Sequence, residues 1–358
     1  MLYDFLLIGH GLAGSILAET LSEAGYKILV IDTPKPNSAS NVAAGLMNPL
    51  AGKRFAKSWL ADTLVPFATS FYQDLEARFN QQLFYPKPIL KLFSSVEEQN
   101  NWMGKSAGTT YGDFIKEVYT SLPASDVISQ EKGGILIDKG GYVLVPVLLE
   151  ILRVHRLHKQ ELITESFEFI DLQLQDNYIK YQDIEAKEII FCEGYKGAEN
   201  PFFKWLPFSL NKGEVLDVKA LDFPDEYIYN KAVYVVGAGA ERVRIGATYN
   251  WRQADEEPTE TGREELLHKA QDLIKKPLTV VAHKAGIRPA VRDRRPLIGS
   301  HPEQNNVKIF NGMGSKGVMM APYLASHFAK VLEAKEDLLP EVNISRYFSL
   351  LKEHKKLQ

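Results

Sequence analysis

Cysteine is almost absent from this sequence, since Cys192 is the only one among 358 residues. A single cysteine excludes an intramolecular disulfide and leaves no cysteine cluster for zinc or an iron–sulfur centre. The eight histidines are scattered without the pairing typical of metal ligands, so no metal site is expected. Without a disulfide framework, a reducing cytoplasm is the simplest location to expect.

Long apolar runs and an excess of one charge are also missing. No run approaches the ~20 apolar residues that a membrane span requires. The apolar N-terminal stretch contains Asp4 and lacks the basic start of a signal peptide. The 42 Lys and Arg nearly balance the 45 Asp and Glu, for a net charge of −3. The bulk charge therefore favours neither nucleic acid nor a membrane surface as a partner.

The most informative motif is a G-x-G-x-x-G turn near the N-terminus. The apolar run from Phe5 to Ile8 predicts a buried strand, and the spacing of Gly9, Gly11 and Gly14 after it is typical of dinucleotide-binding turns. In such turns the first glycine allows the tight bend and the second allows a pyrophosphate to approach the backbone. The third allows the next helix to pack closely on the strand.

The residues around this turn support dinucleotide binding. A helix is predicted from Ser15 to Glu23, and the strand after it ends at Asp32, where an acidic side chain can accept a ribose hydroxyl. Strand, glycines, helix and terminal acid agree, and favour a dinucleotide over an ordinary βαβ unit. We therefore expect further cofactor contacts at the start of the helix and after the acid, from Leu12, Ala13 and Thr33.

A second glycine-rich turn lies near the C-terminus. A strand is predicted at residues 307–310 and a helix at about 320–334, and the turn between them contains the residues Gly312, Gly314, Ser315, Lys316 and Gly317. A strand, a glycine turn and a helix N-terminus form a second anion-facing site. One site suits a pyrophosphate, and the other suits a second negative centre on the same extended ligand.

Two further segments carry small residues where a ligand could approach the backbone. After the first βαβ unit come Ser40, Ala43, Ala44 and Gly45, although a plain loop-to-helix transition explains them equally well. Gly194 follows a predicted buried strand at the carboxyl edge of the sheet, which again indicates close approach to a ligand.

The remaining pattern predicts an α/β chain of two domains. Residues 133–138 and 140–144 are predicted to pair around a turn, and three stretches between 213 and 249 predict an antiparallel sheet. Arg153 and Arg156, on a helix beginning near Pro146, are interpreted as a solvated basic face. We predict a discontinuous nucleotide-binding domain of residues 1–50, 141–205 and 285–358. The substrate domain inserted into it comprises residues 51–140 and 206–284.

The order of these blocks resembles that of the D-amino-acid-oxidase-like flavoproteins. This family includes glycine oxidases, sarcosine oxidases and the oxidoreductase half of the bacterial enzyme that modifies tRNA wobble uridines. The resemblance covers nearly the whole chain and rests on residues 9–14 with Asp32, 40–45, 192–194, 245–248, 286–289 with Asp293 and Pro296, and 312–317. It implies a Rossmann-like, glutathione-reductase-type domain that binds FAD, and an inserted α+β substrate domain built on an antiparallel sheet.

The resemblance also implies roles for particular residues. Arg288 matches the arginine that pairs with the substrate carboxylate, with a structural ion pair to Asp293 as the alternative. Tyr234 matches a tyrosine of the substrate pocket, for which Tyr249 and Trp251 are weaker candidates. Lys316 and the N–H groups around it would face the flavin where reduction places negative charge; a solvated lysine on a turn is an equal alternative.

The implied reaction is oxidation of the C–N bond of a small amine or amino acid. Hydride would pass to flavin N5, the imine would hydrolyse, and O2 or another electron acceptor would reoxidise the flavin. The cysteine that carries flavin in sarcosine-oxidase relatives has no counterpart here, so FAD is expected to be non-covalent.

Two alternatives stay open at this stage. The blocks at 286–299 and 312–317 are closer to the tRNA-modifying oxidoreductase, which would act on a carboxymethylaminomethyl group. The chain has no methyltransferase domain and no basic surplus for tRNA, so a nucleic acid partner is disfavoured but not excluded. The second alternative is a flavin-binding protein without amine turnover. The sequence leaves the substrate and the oligomeric state open.

Overall fold

The computed structural model describes residues 1–51, 56–106, 109–239 and 241–356. The helices are α1 (Leu12–Glu23), α2 (Ala39–Val42), α3 (Ala61–Phe79), α4 (Val96–Ser106), α5 (Val145–His158), α6 (Glu260–Gln271), α7 (Gly317–Leu332) and α8 (Phe348–Lys356). The strands are β1 (Leu2–Ile8), β2 (Ile28–Ile31), β3 (Leu46–Met47), β4 (Leu50–Ala51), β5 (Ala56–Lys57), β6 (Phe84–Pro86), β7 (Ile89–Leu92), β8 (Ile115–Tyr119), β9 (Gly134–Ile137), β10 (Gly141–Val143), β11 (Leu162–Ile163), β12 (Leu172–Leu174), β13 (Ile179–Tyr181), β14 (Ile184–Phe191), β15 (Asn211–Lys219), β16 (Ile228–Lys231), β17 (Val233–Gly237), β18 (Arg242–Gly246), β19 (Thr279–Arg288), β20 (Leu297–His301) and β21 (Gln304–Asn311).

The chain divides into two compact units. The first unit comprises Met1–Asn41, Val145–Asn211 and Ile287–Gln358, and the second comprises Val42–Leu144 and Lys212–Gly286. Compared with the predicted domain boundaries, residues 42–50, 141–144 and 285–286 fall in the second unit, and residues 206–211 fall in the first. The assignment of FAD to one unit and substrate to the other stays a prediction.

The first unit is built on a sheet whose central strands run parallel. Its strand order is β11-β2-β1-β14, and β21 pairs in parallel with the carboxyl end of β14. The hairpin of β12 and β13 pairs antiparallel with the other end of β14. The four residues of β2 and the last four of β1 are buried, because such strands are covered on both faces. The carboxyl ends of β1, β2, β14 and β21 therefore share one edge of the sheet.

The second unit is built on a largely antiparallel sheet of strand order β19-β15-β18-β17-β16-β7-β9-β8. The pair of β16 and β7 is parallel, whereas β15, β18, β17 and β16 pair antiparallel with one another. Val233, Val235 and Ile245 lie in one buried cluster with Leu266 of α6. Because strand side chains alternate, Tyr234 and Arg244 project from the opposite face.

One strand pairing differs from the sequence prediction. The stretches 133–138 and 140–144 do not pair with each other: β9 pairs with β7 and β8, and β10 pairs with β3 and β6 in a separate sheet. Lys139, between them, has φ +57. The two strands are adjacent in sequence and share a glycine-rich link, but each is paired with strands that the local pattern cannot identify.

Candidate cofactor and substrate site

The N-terminal turn has the backbone geometry that its glycines predict. Gly9 has φ +102, a conformation that strongly favours glycine. A Cβ on Gly14 would lie 2.0 Å from the Gly9 carbonyl oxygen, so a side chain there would push α1 away from β1. Gly9 and Gly14 are therefore required by the fold itself.

Gly11 is different, because the fold does not require it. Its backbone is extended, at φ −73 and ψ −174, and an added Cβ would meet only the Ser40 hydroxyl oxygen, at 3.4 Å. That oxygen accepts the Leu12 N–H at 3.1 Å, so two predicted cofactor residues bond to each other. The open face of Gly11 beside the start of α1 is the space that a phosphate group would fill.

Asp32 lies at the carboxyl end of β2, and its carboxylate oxygens bond to two other segments of the first unit. Oδ1 accepts the His10 N–H at 2.9 Å, and Oδ2 accepts Nη2 of Arg153 on α5. Thr33, next along the chain, has its hydroxyl 3.3 Å from that of Ser166. Asp32 is thus held beside the glycine turn, where a ribose acceptor is needed.

The basic residues of α5 do not form the solvated face that the sequence indicated. Arg156 is fully buried and forms ion pairs with Glu19 of α1 and with Glu161, while Arg153 bonds to Asp32. The prediction was wrong because their acidic partners, Asp32 and Glu19, are far away in sequence. The pattern around residue 153 alone cannot reveal them.

His10, between the first two glycines, is a polar residue that the motif did not identify. It is 3% exposed, and neither ring nitrogen has a hydrogen-bond partner among the described residues. Burial, with Arg153 and Arg156 nearby, lowers the pKa of His10 to about 3. Its imidazole is therefore neutral at physiological pH.

The C-terminal glycine turn lies beside the N-terminal one. A Cβ on Gly317, the first residue of α7, would lie 2.9 Å from the Leu12 side chain at the start of α1. The starts of the two helices are thus adjacent, although they come from opposite ends of the chain. This juxtaposition fits one extended anionic ligand.

Two donors in this turn are used within the chain. The Gly314 N–H donates to the Pro289 carbonyl at 3.2 Å and the Lys316 N–H donates to the Met313 carbonyl at 3.2 Å. The sequence analysis expected these two N–H groups to face the flavin, but in the structure they donate to backbone carbonyls of the same chain. The Lys316 side chain stays a candidate, since burial, with Arg295 and Arg294 nearby, lowers the pKa of its amine to about 8.

Gly312 and Gly194 have positive φ for different reasons. Gly312 has φ +77, and its Cβ would lie 2.8 Å from the Val291 side chain, so packing also requires glycine there. Gly194 has φ +60 with nothing within 4 Å of an added Cβ, and its carbonyl accepts the Asn311 amide at 2.8 Å. The open space at Gly194, after β14, lies at the same sheet edge as the glycine turn.

Arg288 ends β19, and its neighbour Pro289 bonds to the Gly314 turn. Nη1 of Arg288 donates to Oδ1 of the buried Asn211 at 2.6 Å. Asp293 was considered above as a structural partner of Arg288, but its ion pair is with Arg346, at 2.9 Å. The first unit therefore brings Arg288 to the same loop as Lys316.

In the second unit, Tyr234 bonds to a residue of the segment 42–50. The Asn48 amide donates to the Tyr234 hydroxyl at 2.6 Å, and burial raises the pKa of Tyr234 to about 12. Tyr249 and Trp251, the weaker pocket candidates, are 61% and 55% exposed.

The same segment carries the predicted cofactor residues Ala43, Ala44 and Gly45. The Ala43 carbonyl accepts Nη1 of Arg244, which also pairs with Asp217 across the sheet. Gly45 has φ +68, and its Cβ would lie 1.9 Å from the Val143 carbonyl oxygen. Packing against β10 thus explains Gly45 without a ligand, and Ala44 lies between these two contacts.

Glu193 is a second polar residue that the sequence analysis left out of the site. It follows β14 next to Gly194, and its carboxylate accepts the Asn200 amide at 2.6 Å. Burial raises the pKa of Glu193 to about 7. Its place two residues after the buried strand β14, which ends at Phe191, was the signal that could have identified it.

Comparison with known proteins gives a consistent result. The profile of the FAD dependent oxidoreductase (DAO) family matches residues 4–331. Glycine oxidase from Geobacillus kaustophilus is 24% identical over 369 residues, covering 94% of this chain and 96% of that protein. The tRNA 5-methylaminomethyl-2-thiouridine biosynthesis bifunctional protein MnmC from Marinobacter nauticus is 25% identical over 352 residues, covering 90% of this chain and 54% of that protein. This chain therefore spans about half the length of MnmC.

Solved structures share the fold. The crystal structure of iminodiacetate oxidase (IdaA) from Chelativorans sp. BNC1 superposes with a TM-score of 0.81 at 21% identity, over 96% of this chain and 98% of that one. No helix among the described residues is long and apolar enough to cross a membrane.

The chain belongs to the FAD-dependent oxidoreductase family, and its cofactor is FAD. The first unit fits that cofactor on its own geometry. The open face of Gly11, the open space at Gly194 and the adjacent starts of α1 and α7 leave room for an extended phosphate-bearing ligand, and Asp32 is placed for a ribose.

Proposed function

We propose that this enzyme oxidises the C–N bond of a small amine or amino acid. The observation that carries the proposal is that Arg288 adjoins, through Pro289, the loop at the start of α7, which itself adjoins the start of α1. Arg288, a side chain able to bind a carboxylate, thus lies in the same unit as both helix N-termini. Bound non-covalently, FAD would supply the hydride acceptor, with O2 or another electron acceptor regenerating it.

Arg288 would bind the substrate carboxylate. Its guanidinium can hold a carboxylate through two parallel hydrogen bonds, and the short bond to Asn211 restrains its orientation. Holding the carboxylate also orients the adjacent carbon that loses hydride. Since an unprotonated amine can lose hydride once it is oriented, the reaction needs no general base. Water then hydrolyses the imine.

The other two proposed catalytic residues act on charge and on substrate binding. The Lys316 amine would lie where negative charge develops on the flavin, and its lowered pKa means that a nearby anion would restore its proton. Tyr234, protonated at all ordinary pH values, would offer its hydroxyl to the substrate.

The first test is the visible absorption spectrum of the purified protein, followed anaerobically as amino acids and N-alkyl glycines are added. Bleaching by one of them would support the reaction class and reveal the substrate group. A flavin spectrum that none of them bleaches would argue against amine oxidation on small substrates and favour a macromolecular one. Colourless protein that also fails to take up added FAD would contradict the assignment of the cofactor.

Replacing Arg288 tests the substrate site directly. We expect Arg288→Ala to raise KM for a carboxylate substrate by about two orders of magnitude, because its charge-assisted hydrogen bonds to the carboxylate would be lost. FAD content, read from the ratio of visible to ultraviolet absorbance, should stay near wild type. Arg292→Ala, which removes an exposed arginine four residues away, is the matched control. An unchanged KM in Arg288→Ala would remove Arg288 from the site.

A second candidate function is oxidation of a carboxymethylaminomethyl group on tRNA. It is favoured by the match to MnmC along 90% of this chain, and Arg288 would bind the carboxylate there as well. A protein that binds flavin without turnover is the third possibility, and bleaching by any amine would exclude it.

A further inference from the structure

Glu193 is a titratable group of the first unit to which the proposed reaction gives no role. It follows β14 at the carboxyl edge of the sheet, directly beside the nucleotide turn. A Cβ on Gly9 would be 2.7 Å from the Cys192 carbonyl oxygen and 3.4 Å from the Cα of Glu193. On the other side is Gly194, with nothing within 4 Å of an added Cβ. Glu193 therefore lies at the edge where the cofactor phosphates are expected.

One oxygen of the Glu193 carboxyl group is held by the chain, and the other is open. The side-chain oxygen of Asn200 accepts the Phe202 N–H at 2.8 Å, so its amide nitrogen faces Glu193 and donates to Oε2 at 2.6 Å. Asn200 is 1% exposed, so packing restrains this contact. Oε1 of Glu193 has no hydrogen-bond partner among the described residues, and these residues do not enclose it. A ligand can therefore reach Oε1.

The surroundings of Glu193 keep its proton available near neutral pH. Burial raises the pKa of Glu193 to about 7, and the Asn200 amide and Lys196 offset only part of that effect. On the glycine turn, burial lowers the pKa of His10 to about 3, so its ring is uncharged. Cys192 remains a thiol, because burial raises its pKa. Both forms of the Glu193 carboxyl group are therefore populated at physiological pH.

FAD brings the negative charges of its pyrophosphate to this edge. An ionised carboxylate offers only acceptors and would repel a phosphate, whereas a protonated carboxyl group has one O–H donor. We propose that Glu193 binds FAD as the protonated acid, donating from Oε1 to a pyrophosphate oxygen, so that cofactor binding takes up a proton. This inference rests on the cofactor and not on the amine oxidation proposed above.

The phosphate charges determine the direction of the pH dependence. A nearby anion favours the neutral form of a carboxyl group, so the pKa of Glu193 is higher in the complex than in the free protein. FAD affinity is then greatest below the pKa of the free protein, and it falls as the pH rises towards the pKa of the complex. Between these two values, each pH unit raises the Kd by about tenfold at most.

Glu193→Gln is the variant that tests this assignment, because it keeps the shape and cannot ionise. The Asn200 amide nitrogen only donates, so it selects the oxygen of the new glutamine, and the glutamine nitrogen takes the open position as a permanent donor. Apoprotein is titrated with FAD between pH 6 and pH 9, with quenching of flavin fluorescence as the signal. We expect the ratio of the wild-type Kd to the Glu193→Gln Kd to rise by about tenfold or more over this range.

The ratio isolates Glu193 from other groups that titrate in the same range. The Lys316 amine, whose pKa burial lowers to about 8, acts on both proteins alike and cancels. Glu199→Gln is the matched control, because it removes an exposed carboxyl group at the end of the turn Gly194–Ala198. Its Kd should follow that of the wild type at every pH. A wild-type to Glu193→Gln ratio that stays constant or falls with pH would overturn the proposal.

Calorimetry in buffers of different ionisation enthalpy counts the protons directly. At pH 8, the wild type should take up about half a proton more per FAD bound than Glu193→Gln does. Equal uptake by the two proteins would also overturn the proposal. If Glu193→Gln does not fold, Lys316→Met replaces it: uptake that persists in this variant supports Glu193, and uptake that disappears contradicts it.

These measurements use FAD and no substrate, so they are separable from a failure of the proposed function. A protein whose flavin no amine bleaches can still show the proton uptake, which would leave Glu193 in the cofactor site. Bleaching by an amino acid, with FAD affinity that does not depend on Glu193, would leave the reaction class standing and remove this role.

Discussion

The Asp32 carboxylate has more hydrogen-bond donors from the first unit than its motif requires. A ribose acceptor needs only to stand at the end of β2, yet Arg153 reaches it from α5, and the His10 N–H meets its other oxygen. A carboxylate held by two donors keeps one orientation, so a hydroxyl can bind to it without first ordering the side chain. The guanidinium would also offset the repulsion between Asp32 and a phosphate bound at the glycine turn.

We therefore expect Arg153→Met to weaken FAD binding by roughly tenfold, through loss of a charge-assisted hydrogen bond to Asp32. The measurement is quenching of flavin fluorescence as apoprotein is titrated with FAD. Arg153→Lys, which keeps the charge, should recover part of the affinity. Arg78→Met, an exposed arginine in the second unit, is the control. Wild-type affinity in Arg153→Met would mean that the pair only packs α5 on the sheet.

Lys316 leads to a prediction about redox potential. If its amine lies beside the negative charge of reduced flavin, Lys316→Met should lower the midpoint potential by roughly 30–60 mV, the equivalent of one hydrogen bond to a charged group. Reference-dye titration of the holoprotein would measure it. An unchanged potential would leave Lys316 as a residue of the turn.

The pH dependence of the flavin midpoint potential gives a second test of Lys316. The pKa of the Lys316 amine is lowered to about 8 by burial first, and an anionic flavin would raise it again. Above pH 8, reduction would then take up one extra proton, and the potential would fall by about 30 mV more per pH unit. This added slope should be absent in Lys316→Met.

At the level of elements, the sequence predicts best where its signals are local. The strand, turn and helix from β1 to α1 are confirmed. The pairing of β9 and β10 was predicted wrongly, because strand partners depend on segments tens of residues away. The buried partners of α5 and the contact of Asn48 with Tyr234 could not be predicted for the same reason.

The two glycines at the start of α1 should respond differently to alanine. A Cβ on Gly14 collides with the Gly9 carbonyl, so Gly14→Ala should destabilise the protein with or without FAD by several kcal/mol. A Cβ on Gly11 meets only the Ser40 hydroxyl at 3.4 Å, so Gly11→Ala should keep the apoprotein melting temperature and lose FAD affinity. Thermal unfolding with and without FAD distinguishes them. Unaltered FAD affinity in Gly11→Ala would place the pyrophosphate elsewhere.

At the scale of the whole molecule, the chain passes repeatedly between its two units. The first unit is assembled from three segments and the second from two, so the nucleotide turn, Asp32 and the Gly312 loop meet only after chain segments separated by about 300 residues have come together. The resemblance to the family was still visible in the sequence, because the order of short glycine-rich blocks survives such interruptions. The order of these blocks could not predict the substrate, because the contacts of side chains such as Arg288, which bonds to Asn211, come from segments far apart in sequence.

The charge of the whole chain bears on the choice between a free amino acid and tRNA. With 42 Lys and Arg against 45 Asp and Glu, it has no surplus of cations to replace the counterions of a phosphate backbone. We expect no retardation of bulk tRNA at about 10 μM protein and 50 mM salt, where non-specific binders are retained. Duplex DNA of similar length is the control for generic polyanion binding. Tight tRNA binding that DNA does not match, and that weakens steeply with salt, would instead support a tRNA substrate, with Arg288 then binding a carboxymethyl group on a base.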